Sequence, residues 1–538
     1  MLTGIEIKTI NHLGIVAGII DELEIVELIN QELGIDEQEI VNSGEIVKAI
    51  IINGLGFVSQ PLYLFPKFFE DKAVEHLLGN GILPEHLNDY KIARVMDKLY
   101  DYGLSKLFLL IALSAAKKYQ INLEFSHLDS SSFSVHGEYK RARFSEDKLT
   151  KKESDKNSEP IPITITHGYS RDHRPDLKQF ILDLIVTGDG NIPVFIEAAS
   201  GNQSDKKAFG QIAKDYKKQL KLETTIVGDS ALYSKDNLGL LKQIKWLTRV
   251  PVSIKEAKNL VNEVSSSELN QSEHPGYSFV EKTSNYGGIP QRWLVVESEA
   301  RAESDKKSLE KKITKEKEII QKKVAKLFKK TFSEATEANL SLKQVQSKLK
   351  YHLISDIEII DNQVDNQNNT YQITGEIQPN SEVIESYKNR AGRFIIATNR
   401  LDSESFTADK MLKKYKEQQN VERGFAFLKD PLFFADSIFL KSPKRIETMG
   451  MLMGLCLMVY SLGQREVRRQ LFEAKTGIPN QLGKLTARPT LRWIFQCFQG
   501  IHLLIHQGIK QVVNVTEERL LTLKFFPLSC QKYYILSG

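Results

Sequence analysis

Three acidic residues stand where a carboxylate has chemistry open to it. Asp129 lies inside LEFSHLDSSSFSV (123–135), Asp229 closes LETTIVGDS, and Glu422 sits in YKEQQNVERGFAFLKD, which starts at Tyr415. Each has an ordinary alternative: Asp129 as a turn cap at a strand end, Asp229 as a helix N-cap, Glu422 as a solvated helical acid. An aspartate within a strand is the least ordinary of the three, because an unpaired carboxylate in a core is costly. Asp129 therefore calls for a cation, and a metal ion would supply one. Around Glu422, the residues Tyr415, Gln418, Glu422, Phe425 and Lys429 are spaced +3, +4, +3, +4, which puts all five on one helical face. Tyr, Glu and Lys projecting together do not make an ordinary core stripe. Val421, Phe425 and Leu428 lie beside them and are expected to face a sheet.

The elements that must hold these residues follow from the periodicity. Residues 1 to about 118 read as helices, with apolar residues at helical spacing in GIVAGIIDELEIVELINQEL, EIVKAIIINGLGFV and KIARVMDKLYDYGLSKLFLLIALSAA. The pattern changes to a short alternating strand over 123–135, followed by a charged loop to about 160. LKQFILDLIVT and IPVFIEAAS flank the turn residues Gly188, Asp189, Gly190 and Asn191, which predicts a β-hairpin. A helix beginning after Ser204, a strand ending at Asp229, a helix over SKDNLGLLKQI and a strand over WLTRV come next. Residues 251–390 interrupt this order. RFIIATN (393–399) then resumes it as a buried strand, a helix runs from about 406 to Lys429, and a long apolar helix covers about 443–470. NQVDNQNNTY is expected to be a polar loop and WIFQCFQGIHLLI helical.

Bulk properties bound the possibilities. The 538 residues are 41% hydrophobic and 26% charged, with a net charge of +5, as in a globular protein with a sizeable core. Charge is uneven: residues 1–120 hold 10 Lys+Arg against 17 Asp+Glu, whereas residues 441–538 hold 14 against 5. A polyanion would be drawn to the C-terminal half. The helix expected over 305–330 carries 11 Lys and 4 acids, with Leu309, Ile313, Ile320, Val324 and Leu327 on one face. It is either a DNA-contacting or a solvated helix, and its incomplete self-neutralisation favours DNA. Cys456, Cys497 and Cys530 form no CxxC pair and sit in apolar surroundings, as buried thiols of a reduced, cytosolic protein without a zinc site. The N-terminal residues lack the pattern of a signal peptide. The longest apolar run, Met449 to Leu462, falls short of the ~20 residues of a membrane span and is expected to be a buried core helix.

The order hairpin, strand, helix, strand resembles that of the ribonuclease H-like fold. In that fold one carboxylate sits mid-way along the first strand, a second at the tip of the fourth, and a third on a helix after the fifth. Asp129, Asp229 and Glu422 fall at those places. The helix sharpens the likeness: its Y-x2-Q-x3-E-x6-K resembles the Y-x2-R-x3-E-x6-K signature of insertion-sequence transposases with a DDE triad. HLDSSSFSVHGEY, GYSRDHRPDLKQF, VGDSALYSKDNL, KDPLFFADSIFLKSPKRIE and LRWIFQCFQG are similar to blocks of one subgroup of those enzymes, in the same order.

That resemblance implies an α/β protein with a mixed sheet: a ribonuclease H-like catalytic core, an all-helical N-terminal domain, and an α+β insertion between the fourth and fifth core strands. The expected divisions are 1–118 (helical; DNA-end recognition or dimerisation), 119–250 and 391–475 (core), 251–390 (insertion) and 476–538 (basic C-terminal region). It implies catalytic, metal-holding Asp129, Asp229 and Glu422 with two Mg²⁺ or Mn²⁺ ions, and DNA contacts from Tyr415 and Lys429. Gln418 stands where the family has Arg, so one phosphate contact becomes at most an amide hydrogen bond. Arg171 and Arg174 form a basic loop that either grips phosphates or is merely solvated. His127 shares a strand face with Asp129, either orienting a water or simply packed. Trp246 and Trp293 are core residues by default, with stacking on an extruded base as the alternative. The implied activity is cleavage at element ends followed by transfer of the freed 3′-OH into target DNA. The implied partners are double-stranded terminal inverted repeats and target DNA, and a second copy of the chain, with no membrane. The implied location is a prokaryotic cytoplasm, at the nucleoid when bound. The alternatives are a domesticated, non-catalytic DNA-binding protein, another ribonuclease H-like nuclease such as a junction-resolving enzyme, and a structural helical assembly protein. The net −7 of the first 120 residues argues against a dominant phosphate-binding role there.

Overall fold

A computed structural model describes the chain except for residues 1–4, 58–59, 62–63, 140–160, 221–222, 366–367, 432–439 and 537–538, and gives only the backbone of 362–365 and 368–369. Most of the charged loop expected before residue 160, and the middle of the KDPLFFADSIFLKSPKRIE block, lie outside the described residues. The chain forms two compact units, one of residues 1–246 with 414–538 and one of residues 247–413.

The first unit is built on a sheet whose strands run in the order Pro193–Ser200, Lys178–Thr187, Phe125–Val135, Thr225–Gly228. The first three are antiparallel neighbours, and Thr225–Gly228 runs parallel to Phe125–Val135. This is the hairpin and strand order anticipated from the sequence. Lys178–Thr187 is buried from Gln179 to Thr187, because both faces of the sheet are covered. Helix Asp205–Leu220, the crossover into the parallel strand, packs on one face, where Ser126 Oγ lies 3.3 Å from Tyr216 Oη. Helices Gln419–Leu428 and Pro443–Glu473 cover the other face. A Cβ on Gly424 would lie 3.3 Å from both Leu184 and Leu457, and one on Gly454 would lie 2.7 Å from Ile196. Pro443–Glu473 is long and apolar enough to cross a membrane by composition alone. However, 83% of its most apolar stretch is buried within the protein, as expected of a core helix.

The N-terminal region is helical as expected, from Leu13–Glu22 to Leu104–Lys118, with one strand before it and C-terminal residues joined to it. Ile5–Thr9 is a strand, paired antiparallel with His502–His506, which pairs in turn with Ile509–Val513. The segment expected to be one helix through WIFQCFQGIHLLI therefore splits. The helix Leu491–Cys497 ends, Gly500 adopts φ +78°, and the chain re-enters as a strand. Helix Leu13–Glu22 lies against the last helix so closely that a Cβ on Gly18 would sit 2.3 Å from Cys530 Cα. Lys48 Nζ meets Asp21 Oδ1 at 2.5 Å, and Tyr533 Oη donates to Asp21 Oδ2 at 2.6 Å. These long-range contacts tie the N-terminal helices and the C-terminal residues into one body. Cys456 and Cys530 are buried, whereas Cys497 is half-buried, so it is less enclosed than its apolar surroundings suggest; all three are free thiols.

In the second unit, Arg393–Thr398 pairs antiparallel with residues 247–250 on one side and with Gln291–Ser298 on the other. Tyr277–Ser284 and Asn270–Gln271 extend the sheet beyond it. The Lys-rich stretch is a helix, Glu299–Phe328, whose Leu309, Ile320, Val324 and Leu327 are buried and whose lysines from 306 to 326 are all exposed. Its C-terminal half packs with Ala335–Gln346 onto Ile354 and Ile373 of a long hairpin, His352–Asp365 with Asn368–Pro379. The polar run expected to be a loop is thus largely the far end of this hairpin. Its backbone groups satisfy one another across the strands, so a polar composition is no bar to pairing.

Candidate active site

The central strand carries Asp129. Its parallel pairing with the short strand runs as far as Leu128 opposite Gly228. Asp129 on the central strand and Asp229, the first residue past the end of the short one, therefore come next side by side, about 4.8 Å apart by strand spacing. The short strand stops at Gly228, which leaves Ser130 and the residues after it, among the described residues, without a paired strand on that side. Arg171 fills the edge: its N–H donates to Ser132 Oγ at 2.9 Å, and its guanidinium donates to the carbonyl of Ser130. The same guanidinium meets Asp129 Oδ1 at 3.4 Å and pairs with Asp205.

Asp129 is largely enclosed. Burial lifts its carboxyl to about 6, the charge of Asp229 adds to the lift, and Arg171 and the N–H of Ser130 (2.8 Å to Oδ1) oppose it. This is a carboxylate short of cation, and Arg171 supplies only part of the need. Asp229 Oδ1 accepts the N–H of Ala231 at 2.8 Å, closing a turn after the strand. The cap of the following helix, Lys235–Leu240, is Ser234, so the N-cap alternative for Asp229 does not hold.

The expected continuous helix to Lys429 is two helices, Ala408–Lys416 and Gln419–Leu428, meeting at Glu417 and Gln418. The break corrects the expected single face. Gln418 and Phe425 turn inward with Val421, Gly424 and Leu428, while Glu422 points to solvent. Gln418 is corrected with it. Its amide is buried, with Nε2 donating to the carbonyl of Leu128 at 2.8 Å and Oε1 lying 3.2 Å from His127 Nδ1. Both ends are occupied inside the protein, so the side chain is not presented to DNA. It instead staples the start of the helix to the strand one residue before Asp129, and Glu422 lies one turn beyond. Since Oε1 can only accept, His127 carries its proton on Nδ1. Burial holds its imidazole down at about 4, against the bond to Gln418, and Lys414 lowers it further. His127 is thus a packed, neutral histidine rather than a group facing water.

The remaining expected residues are distributed around this centre. Lys429 Nζ binds Asp172 Oδ1 at 2.7 Å and lies 5.1 Å from the Phe133 ring centroid, which draws the loop of Arg171 to the end of the Glu422 helix. Tyr415 is half-buried on the preceding helix. Arg174 is exposed and holds Asp176 with two bonds, of 2.9 and 2.8 Å. Trp246 and Trp293 are fully buried, which rules out base stacking and leaves core packing. Among the described residues no three His, Cys, Asp or Glu side chains are gathered closely enough to hold one metal ion; the two aspartates are adjacent, and Glu422 is held on the neighbouring helix. Two residues were missed in the sequence. Asp205 accepts from Ser130 Oγ at 2.7 Å and pairs with Arg171. Asp183, opposite Ser130 in the ladder, is buried; burial, then the charges of Glu197 and Asp205, raise its carboxyl well above the usual range. Asp205 reads in sequence as an ordinary first-turn acid of a helix, and Asp183 as a strand acid with no motif around it.

Residues 124–460 match the family described as the transposase DDE domain. The chain belongs to the DDE transposases. It is a DNA transposase, of an enzyme class that cleaves DNA and transfers strands, uses divalent metal ions and has DNA as its partner. Both aspartates and Glu422 fall within the matched residues. Residues 5–113 of this transposase match a domain of unknown function. Among solved structures, the cryo-EM structure of a piggyBac transposase synaptic complex with hairpin DNA is similar over 97% of this chain and 80% of that one, at 10% identity and a TM-score of 0.37. Identity and score at that level bear on neither site nor mechanism. No curated protein matches the chain.

Proposed function

We propose that Asp129, Asp229 and Glu422 are the catalytic carboxylates of this transposase and hold two Mg²⁺ or Mn²⁺ ions. The adjacency of Asp129 and Asp229 at the end of the short parallel strand carries this assignment. The donors are all hard carboxylate oxygens, which suit such ions, and Asp129 is a buried acid only partly neutralised by Arg171. Bound there, the ions would supply Lewis-acid stabilisation of the attacking and leaving oxygens of a phosphodiester.

The chain's own residues do the positioning. Arg171 fixes the rotamer of Asp129 and closes the exposed strand edge. Gln418 sets the depth of the Glu422 helix against that strand, so the acid is presented on a stapled element rather than a free one. Lys429, held at the rim by Asp172, can exchange that partner for a DNA phosphate, and Tyr415 is the second DNA contact on the preceding helix. Arg174 can exchange Asp176 in the same way. The exposed lysines of Glu299–Phe328 would add a salt-dependent contact from the second unit. The reaction is hydrolysis at the ends of the element, freeing a 3′-OH that then displaces a phosphodiester oxygen of target DNA. Two ends must be joined, so the working form is a homodimer, acting at the nucleoid of a prokaryotic cytoplasm. A complete set of three acids speaks against a domesticated, non-catalytic binder.

The test is incubation of the protein with a labelled duplex bearing the element's own terminal inverted repeats, and with a scrambled duplex, in Mg²⁺ or EDTA. Mg²⁺-dependent nicking at the repeat end is expected. Binding of the repeats without cleavage in either Mg²⁺ or Mn²⁺ would remove the catalytic assignment.

A further inference from the structure

The C-terminal half of helix Pro443–Glu473 is rich in arginine, and most of its neighbours are neutralised. Arg465 pairs with Asp189 at 2.7 Å, Arg469 with Glu466 and Glu473 at 2.9 and 2.7 Å, and Arg492 with Asp430 at 2.7 Å. Three guanidiniums beside them are treated differently. Arg423 is exposed on the Glu422 helix, Arg488 is exposed after the hairpin Ile478–Pro479 with Leu485–Thr486, and Arg468 is half-buried between them. Among the described residues none of the three has a carboxylate at ion-pair distance. Among the described residues the Arg468 side chain makes one hydrogen bond, from Nε to the carbonyl of Pro489, at 2.8 Å. That bond aims the guanidinium and leaves its charge unmatched.

The three are close enough to oppose one another. Burial lowers the basicity of Arg468, Tyr460 opposes this, and the charges of Arg488 and Arg423 lower it further. Like charges held together beside neutralised ones destabilise a fold unless an anion completes them. The place for the anion is open: a groove of about 390 Å³ is lined by Arg465, Arg468, Arg469, Arg488, Phe472 and Asp189, with Asp189 held by Arg465 and Phe472 78% exposed; Arg423 stands outside the lining. Its direction is informative. Arg423 is the residue after Glu422, so the positive charge begins at the helix that presents the third acid and runs away toward the hairpin. Guanidinium forks suit phosphate oxygens two at a time.

We propose that this groove binds the sugar-phosphate backbone of DNA beside the scissile phosphodiester, with Arg468 and Arg488 facing phosphates in the groove and Arg423 facing the next one outside it. This rests on the assignment of Glu422 as a catalytic acid. It adds a contact surface outside the Tyr–Glu–Lys pattern and the Lys-rich helix. Arg423 and Arg488 are exposed, so replacing them removes charge without opening a core; Arg468 is the anchored member between them.

The experiment is a fluorescence-anisotropy titration of a labelled duplex in EDTA across a series of KCl concentrations. It compares the wild type, Arg423→Gln/Arg488→Gln and Arg423→Lys/Arg488→Lys, each with its unfolding midpoint recorded. Each phosphate contact contributes about 0.9 to the slope of log K against log salt. The glutamine variant is expected to lose about 1.8 from that slope and to bind about ten- to a hundredfold more weakly at low salt. The lysine variant should keep most of the slope. If the glutamine pair alters the unfolding midpoint, Arg488→Gln alone is read, with an expected loss of about 0.9. A slope unchanged from wild type in a folded variant overturns the groove. A wild type that cleaves repeats while its slope ignores these arginines overturns the groove alone. An arginine-dependent slope in a protein that never cleaves overturns the catalytic assignment alone.

Discussion

Replacing Gln418 with Met keeps its length and apolar bulk and removes both of its hydrogen bonds. Two buried groups lose a partner: His127 Nδ1–H, on a residue with no exposure, and the carbonyl of Leu128. His127 Nε2 already has no hydrogen bond among the described residues, so the ring would be left with neither nitrogen satisfied. A buried donor without an acceptor costs about 1–3 kcal/mol, and a carbonyl that loses one of two possible partners lies at the low end of that range. The variant should therefore be about 2–4 kcal/mol less stable. Adding His127→Phe should recover part of this, since the donor is then gone as well. The coupling between the two sites in a double-mutant cycle should be about 1–2 kcal/mol. Urea unfolding followed by circular dichroism measures the stabilities. DNA cleavage should fall in the single variant, because the Glu422 helix is no longer pinned, while duplex binding in EDTA stays unchanged. A Gln418→Met protein as stable as wild type, or additive with His127→Phe, would refute the staple.

Three further outcomes follow from particular contacts. His12 is fully buried, with Nε2 2.8 Å from the carbonyl of Leu55 and Nδ1 2.8 Å from Gln499 Nε2, and burial lowers its pKa from 6.5 to about 4. Its folded value is depressed, so the stabilisation is present above pH ~6.5 and is lost as pH falls toward 4, about 3 kcal/mol in all. Urea midpoints between pH 7 and 4.5 should drop more steeply in wild type than in His12→Gln, and equal slopes would contradict this. Gly18→Ala should lower the thermal midpoint by an amount equivalent to about 3 kcal/mol, because the new methyl would meet Cys530 Cα at 2.3 Å. An unchanged midpoint would mean that the terminal helices are not in that contact. Mn²⁺ should raise the midpoint of the wild type by mass action and leave that of Asp129→Asn/Asp229→Asn unmoved; an equal rise in both would place the ion elsewhere.

The central sheet was legible because its signals are local. FILDLIVT and PVFIEAAS flank a Gly-Asp-Gly-Asn turn, and TIVGD is a short apolar run ending in an acid. Asp129 stands out because a strand interior is a poor site for an unpaired carboxylate, whereas Asp229, one residue past its strand, is singled out by the resemblance. Glu422 is singled out by its spacing from Tyr415 and Lys429, a spacing that the break between the two helices interrupts. What the sequence did not reveal depends on contacts between distant residues. Gln418 reads locally as a weakened phosphate ligand, whereas its partner is 290 residues away. Arg171 reads as a loop cation, yet it lies along an edge that exists only because a neighbouring strand stops early. Ile5–Thr9 is too short to declare itself a strand until His502–His506 lies beside it. The polar hairpin 352–379 shows the limit of composition, since paired backbones need no apolar side chains.

The measurement that bears most directly on the triad is single-turnover cleavage of a repeat-bearing duplex by wild type, Asp129→Asn, Asp229→Asn and Glu422→Gln, with duplex affinity measured in parallel. Each substitution is expected to lower Mg²⁺-dependent cleavage by about a hundredfold or more, while binding and unfolding midpoints are retained. Cleavage at the wild-type rate in any one folded, DNA-binding variant would contradict the role given to that acid.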